Sequence, residues 1–398
     1  MEPTLSSEEA KTLFSLCRAG KLYQIEEWVT AGRSLRVPQE CKKSPLQLAI
    51  EAGFHSLVEL LVRHETCQAV KDRALADALK ERRLDLVELL VSHGADVKAV
   101  PFLIALQSWD PAIIRFMLSH GADAISDSPF AYAFSERIRT ALRPFMEYKE
   151  SHPELASRLR EEADCALRYF SKQENFRWIS LMMWAGASPR TPGPMLYEGN
   201  DPDCYTSALQ EACYAGKLEV LKKLKPEAGR GDLSDLLGCA ALLARTDVVH
   251  YLLEIGANPN DKQNGGSSAL DHCVLHIGFE GIHSKQQKSK HDVYRTFDCL
   301  RELLEHSAFW KPDDSNQINS VRRTLYGCEP LVTVELLQLF VKNNSASQDI
   351  MQELLQAPRM NQHLSGVEGR LSRLKLTLTS QPPKRKAITA RLRAGIPS

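Results

Sequence analysis

The chain has 398 residues, with 50 Lys plus Arg against 50 Asp plus Glu, and so lacks the basic field that non-specific binding to nucleic acid or anionic membranes draws on. Hydrophobic residues make up 43% of it, yet no apolar run approaches the roughly 20 residues that span a bilayer, so no membrane partner is expected. The acidic opening, Met1-Glu2-Pro3-Thr4-Leu5-Ser6-Ser7-Glu8-Glu9, lacks the basic and apolar stretches of a secretory signal.

Ten cysteines are scattered without a Cys-x-x-Cys pair. Cys17, Cys213, Cys239 and Cys273 fall where helix-packing residues belong, and they read as free thiols of a reducing compartment. The expected location is cytoplasmic, or nuclear in a eukaryote.

In chain order, helices of one kind open with Ser44-Pro45-Leu46, Ser207-Ala208-Leu209 and Ser268-Ala269-Leu270. The Ser side chain caps free amides of the first turn, and Pro at the first helical position loses no hydrogen bond. Helices of a second kind carry Val58-Glu59-Leu60-Leu61-Val62, repeated as Val87-Glu88-Leu89-Leu90-Val91 and in part at Val334-Glu335-Leu336-Leu337. Their ends are expected near Gly32, His64, Gly94, Gly121, Gly186, Gly229, Gly256 and Ser307. Ser92-His93-Gly94-Ala95-Asp96 returns as Ser119-His120-Gly121-Ala122-Asp123, 27 residues later. The repetition gives His93 and His120 a structural role, with the imidazole bonded to terminal carbonyls.

Ser44-Pro45-Leu46-Gln47-Leu48-Ala49, then Gly53, then Leu57-Val58-Glu59-Leu60-Leu61 resembles the ankyrin repeat, as does Leu252-Leu253-Glu254-Ile255-Gly256-Ala257-Asn258-Pro259-Asn260. The resemblance implies an all-α, ankyrin-type solenoid of stacked antiparallel helix pairs over residues 1–345, with roughly nine or ten units. Several units fall short of the usual period of about 33 residues, which leaves little or no β-hairpin finger. The pattern is weakest over 126–163, where Pro144, Pro153 and many charges intervene, and a polar excursion is expected at about 277–296. A helical extension at 346–365 and a basic tail at 366–398 complete the chain.

Metal and catalytic chemistry find little purchase. His272 and His276, with Cys273 between them, have helical i, i+4 spacing, but no second close ligand pair accompanies them. The phosphate-cradle, nucleophile-elbow and His-Glu-x-x-His strings are missing from the sequence. Arg230-Gly231-Asp232 and Asn343-Asn344-Ser345 carry meaning only outside the cell. No cofactor, no metal and no enzymatic activity are expected.

The resemblance therefore implies a non-catalytic scaffold or regulator that engages another protein through a concave face. First-helix residues flanking the buried positions are the candidates: Arg18, Glu51, Lys80, Glu81, Gln107, Trp109 and Tyr214. Trp109 and Tyr214 lead, because large aromatics are enriched at binding hot spots. Two alternatives stand beside this: a regulatory or inhibitory subunit of a toxin or defence complex, and a nucleic-acid-associated adaptor. The adaptor would use Lys384, Arg385, Lys386, Arg391 and Arg393 of the tail, either as a phosphate-binding arm or as a nuclear-import signal.

Overall fold

The computed structural model describes residues 4–372 apart from 39, 198–204, 227–231, 263–265, 284–288, 311–317, 319–321, 323, 324, 327, 344, 357, 365, 368 and 371. It divides into two compact units, Met1–Ala208 and Leu209–Ser398.

In the first unit the sequence alternates two kinds of helix: α1 (Ser7–Arg18), α2 (Leu22–Thr30), α3 (Pro45–Ala52), α4 (His55–His64), α5 (Gln68–Lys80), α6 (Leu84–Ser92), α7 (Phe102–Leu106), α8 (Pro111–Ser119), α9 (Pro129–Ser135), α10 (Leu142–Ser151), α11 (Ala156–Lys172) and α12 (Phe176–Trp184). Odd-numbered helices pack on one another in succession from α1 to α11, and even-numbered helices do so from α2 to α8. Two rows of helices back to back are what stacked helix pairs produce, since one pair alone has nothing to cover its apolar stripe.

Local chemistry sets the pairs. Ser44 and Gln47 form a reciprocal capping box, with Gln47 N–H to Ser44 Oγ at 3.2 Å and Ser44 N–H to Gln47 Oε1 at 3.0 Å, and Pro45 occupies the first turn. Ser6 and Glu9 repeat the device on α1. Leu57, Val58, Leu61 and Val62 then present one buried stripe along α4, each contributing about 1.5–3 kcal/mol of burial. At the ends of α6 and α8, His93 Nδ1 lies 2.9 Å from the Leu89 carbonyl and His120 Nδ1 lies 2.8 Å from that of Phe116. Both imidazoles thus finish a helix, as their recurrence predicts.

The stretch 126–163 contains α9, α10 and the start of α11. Pro144 sits in the first turn of α10 and Pro153 opens a 3-10 turn, positions where a missing N–H costs nothing. Phe130, Phe134 and Phe145 are fully buried here, as is Phe170 further along α11. Phe130 and Phe145 meet edge to face at 4.9 Å, while Phe170 stacks on Trp178 at 5.2 Å.

The second unit continues with α13 (Ala208–Ala215), α14 (Leu218–Leu224), α15 (Asp232–Leu242), α16 (Thr246–Glu254), α17 (Ala269–His283), α18 (Ser289–Glu305), α19 (Pro330–Asn343), α20 (Gln348–Gln356) and α21 (Pro358–His363). Here α15 packs on α17, and α16 on both α14 and α18. One expected boundary moves: α14 ends at Leu224, not near Gly229. Lys225 precedes Pro226 and takes φ 54°, and a residue before proline is driven out of the helical region. Gly229 itself lies outside the described residues. Most of the expected excursion is helical, as residues 277–283 close α17 and 289–296 open α18; residues 284–288 lie outside the described ones.

Among the described residues the only β pairing is two isolated bridges, Gly193 with Thr206 and Trp310 with Ala346. No described helix is long and apolar enough to cross a membrane.

Candidate functional site

The turn that closes each first helix contains one residue in the left-handed region. In the first unit these are Gly20, Gly53, Arg82, Trp109, Arg137 and Glu174. Counting two residues back from each gives Arg18, Glu51, Lys80, Gln107, Ser135 and Lys172, so four of the sequence-predicted residues share one register on the adjoining helices α1, α3, α5 and α7. Arg18, Glu51, Lys80 and Gln107 are all exposed. Glu51 takes an ion pair from Lys43 at 2.5 Å, and Lys80 leans back to Asp77 at 3.3 Å. The Gln107 amide donates to both oxygens of Glu136 on the next repeat at 3.1 and 3.2 Å. Glu81 follows Lys80 directly as the exposed C-cap of α5.

Trp109 occupies the left-handed position itself, where the first two repeats have Gly20 and Gly53. Its φ is 60° and its side chain is 44% exposed. A bulky L-residue there costs roughly 1–2 kcal/mol. The turn is pinned on both sides, by the Ser108 hydroxyl on the Ala105 carbonyl at 2.6 Å and by the Asp110 carboxylate on the Ala112 N–H at 2.8 Å.

A tyrosine group that sequence reading missed lies on the next repeats. Tyr197, in the long connection after α12, has φ 65° and is 62% exposed. Its hydroxyl is 2.8 Å from Ser135 Oγ. Its ring meets Tyr132 of α9 at 5.2 Å and Tyr169 of α11 at 5.8 Å, both edge to face. Ser135 belongs to the Glu51 register, so the repeat spacing was the signal that would have found this place. Nothing in the sequence near Tyr197 shows that its chain returns there.

Buried charge fixes that connection. The Arg168 guanidinium, 3% exposed, donates from Nε to the Pro194 carbonyl at 3.1 Å and from Nη1 to that of Thr191 at 3.2 Å. Asp164 accepts the Ser188 N–H at 2.5 Å. Burial pushes the Asp164 carboxyl above its ordinary range, opposed by that hydrogen bond and by the nearby Arg168 charge. These bonds hold carbonyls and an amide that the connection could not satisfy for itself.

Tyr214 belongs to the second unit and has the same register, two residues before Gly216 at φ 69°. It is half-buried, and its phenol is bonded to the Cys239 thiol of α15; burial raises the phenol pKa well above its ordinary value. Leu242 and Leu243, two residues and one residue before Ala244 at φ 52°, are 36% and 40% exposed. His276 Nδ1 lies 2.9 Å from Thr296 Oγ1, and burial lowers the His272 pKa. No group of three potential ligands gathers as a metal site among the described residues. Lys384, Arg385, Lys386, Arg391 and Arg393 lie outside the described residues.

Two rows of helices closed by left-handed turns define a helix-pair repeat protein. The chain carries ankyrin repeats: the family model for three copies of that repeat matches residues 13–101. No curated protein matches the sequence. Among solved structures, the ankyrin repeat domain of Bcl-3, described as a unique member of the IkappaB protein family, is similar at 17% identity. That match covers 65% of this chain and 91% of the other, with a TM-score of 0.31. The human ASB11 ankyrin repeat domain is similar at 20% identity, over 58% and 91%, with a TM-score of 0.26.

Proposed function

We propose that the chain is a non-catalytic scaffold or regulator that binds a partner protein through the first-helix face of residues 1–208. Ankyrin repeats indicate a protein-interaction module. The observation that carries the reading further is that Trp109 and Tyr197, both large and both exposed, are held in left-handed backbone. Each conformation costs about 1–3 kcal/mol and persists only where surrounding structure imposes it. Each side chain nonetheless keeps a large part of its surface in solvent, and a rigid aromatic gives a partner a large contact at little entropic cost. Arg18, Glu51, Lys80, Glu81 and Gln107 supply the polar surround, and Tyr214 serves as a separate contact in the second unit.

The test is affinity capture of the full chain from its native host beside Trp109→Ala and Tyr197→Ala forms. One stoichiometric protein, lost with either substitution, is the expected result. A partner retained by both variants overturns the assignment of the face. Nucleic acid lost only on deletion of residues 366–398 would assign binding to the basic tail instead.

A further inference from the structure

The connections between repeats in the first unit are uneven. Residues 31–44 join α2 to α3, whereas Glu65, Thr66 and Cys67 alone join α4 to α5. The longer connection is tied down: the Arg36 carbonyl accepts the Leu5 N–H at 2.9 Å, the Ser34 carbonyl accepts Trp28 Nε1 at 3.2 Å, and the Arg33 guanidinium lies 4.8 Å over the Trp28 ring. Next to it the three-residue connection is too short to cover the neighbouring ground. A pocket of about 560 Å³ is left open between them.

Its floor is apolar, formed by the half-buried Leu35, Val37, Pro38 and Val70. Its rim is cationic, with Arg36, Lys42, Lys43 and Arg73 beside His64. The one carboxylate in the lining, Glu65, already accepts the Cys67 N–H at 2.9 Å. Lys43 is paired with Glu51. Arg36, Lys42 and Arg73 are exposed, and no carboxylate among the described residues forms an ion pair with them. In a chain whose total charge is zero, three cations around one cavity that are outside any ion pair among the described residues are a local feature.

We propose that this pocket takes an acidic peptide segment of the partner protein. The inference rests on the protein-binding reading above and names the chemistry of part of that partner. Arg36 and Arg73 offer planar forks that match carboxylates in bidentate fashion, and Lys42 adds a point charge. The apolar floor accommodates the backbone and aliphatic stems of a peptide, contacts that a small inorganic anion cannot use. A cavity of this size falls within the range of roughly 300–1,000 Å³ that holds a small ligand, so it accommodates a short part of such a segment. Charge pairs at such a rim set encounter rate and selectivity, and they weaken as salt screens them over a Debye length of about 10 Å at 0.1 M.

The experiment uses the full chain and a fluorescein-labelled peptide of alternating Glu and Gly, with a Lys and Gly counterpart, read by fluorescence anisotropy. Binding of the Glu peptide only, weakening with salt and reduced at least about tenfold in the Arg36→Glu, Lys42→Glu, Arg73→Glu triple variant, is the expected result. Equal binding to the triple variant, or none at low salt, overturns the proposal. Complete displacement by inorganic phosphate at matched ionic strength also overturns it, assigning the site to an isolated anion. All three positions are exposed, and circular dichroism verifies that the variant folds. The Trp109→Ala chain keeps its peptide affinity, so a peptide that fails on a chain still capturing its partner through Trp109 removes this pocket and leaves the scaffold reading standing.

Discussion

The Glu162 carboxyl group of α11 accepts the backbone N–H of Ala131 at 2.9 Å, capping α9 from a neighbouring repeat. The residue in the N-cap position of α9, Ser128, has φ 51° and does not cap that helix; its hydroxyl bonds to Glu162. The bond satisfies a first-turn amide that α9 cannot satisfy for itself, so α9 and α11 are coupled by more than apolar contact.

Glu162 is 4% exposed, and burial raises its carboxyl pKa from 4.5 to about 8. Between pH of about 4.5 and 8 the unfolded chain releases this proton while the folded chain keeps it, so the group lowers stability as pH rises across that window. Glu162→Gln retains an oxygen for the Ala131 N–H and removes the titration. Thermal unfolding of the two proteins should show the wild type falling relative to the variant from pH 5 to 8, with curves that converge near pH 4. Parallel curves would contradict the burial of an ionisable acid here.

Trp109→Gly and Arg137→Gly together separate folding from binding. Removing the left-handed penalty gains roughly 1–2 kcal/mol, and the added freedom of Gly in the unfolded chain returns about 0.5–1 kcal/mol. Loss of the more than half-buried indole costs about 1.5–3 kcal/mol, so a net destabilisation of up to about 2 kcal/mol is expected in urea unfolding, together with loss of partner capture. Arg137→Gly, at the same place one repeat later, is exposed and carries no such loss, so it should stabilise by up to about 1 kcal/mol and leave capture intact.

Gly193 approaches Arg168 so closely that an added Cβ would lie 2.7 Å from Nη2. Gly193→Ala should therefore push the guanidinium from its carbonyl partners and cost about 1–3 kcal/mol, measured by chemical denaturation. Tyr197→Phe, which removes only the 2.8 Å contact with Ser135, should cost about 0.5–1.5 kcal/mol while the ring keeps its packing on Tyr132 and Tyr169. Chemical denaturation measures that cost, and partner affinity reports whether the hydroxyl's hold on the ring matters for binding.

Thiol reactivity should follow burial. Desolvation raises the Cys17 thiol to about 12 and the Cys299 and Cys328 thiols to about 11, leaving little thiolate at neutral pH. Cys67 is exposed and Cys41 half-buried. Among the described cysteines, brief alkylation of the native protein followed by mass spectrometry should modify Cys67 first and Cys41 next, with Cys17, Cys213 and Cys273 reacting only after unfolding.

What the sequence determined by itself were features encoded within a few residues. The Ser44–Gln47 cap, the apolar stripe of α4, the Gly53 turn and the carbonyl contacts of His93 and His120 are satisfied inside a single helix or turn, so their local spacing suffices. The register of Arg18, Glu51, Lys80 and Gln107 followed from the same repetition. Tertiary structure alone decided that Tyr197 meets Ser135 across 62 residues, that Glu162 caps a helix not its own, and that Pro144 and Pro153 begin elements instead of breaking the array. The same holds for the open pocket, which exists because a long connection stands beside a short one. Each of these depends on which repeats lie side by side and on how buried polar groups find partners there, and neither is encoded in the residues adjacent in the chain.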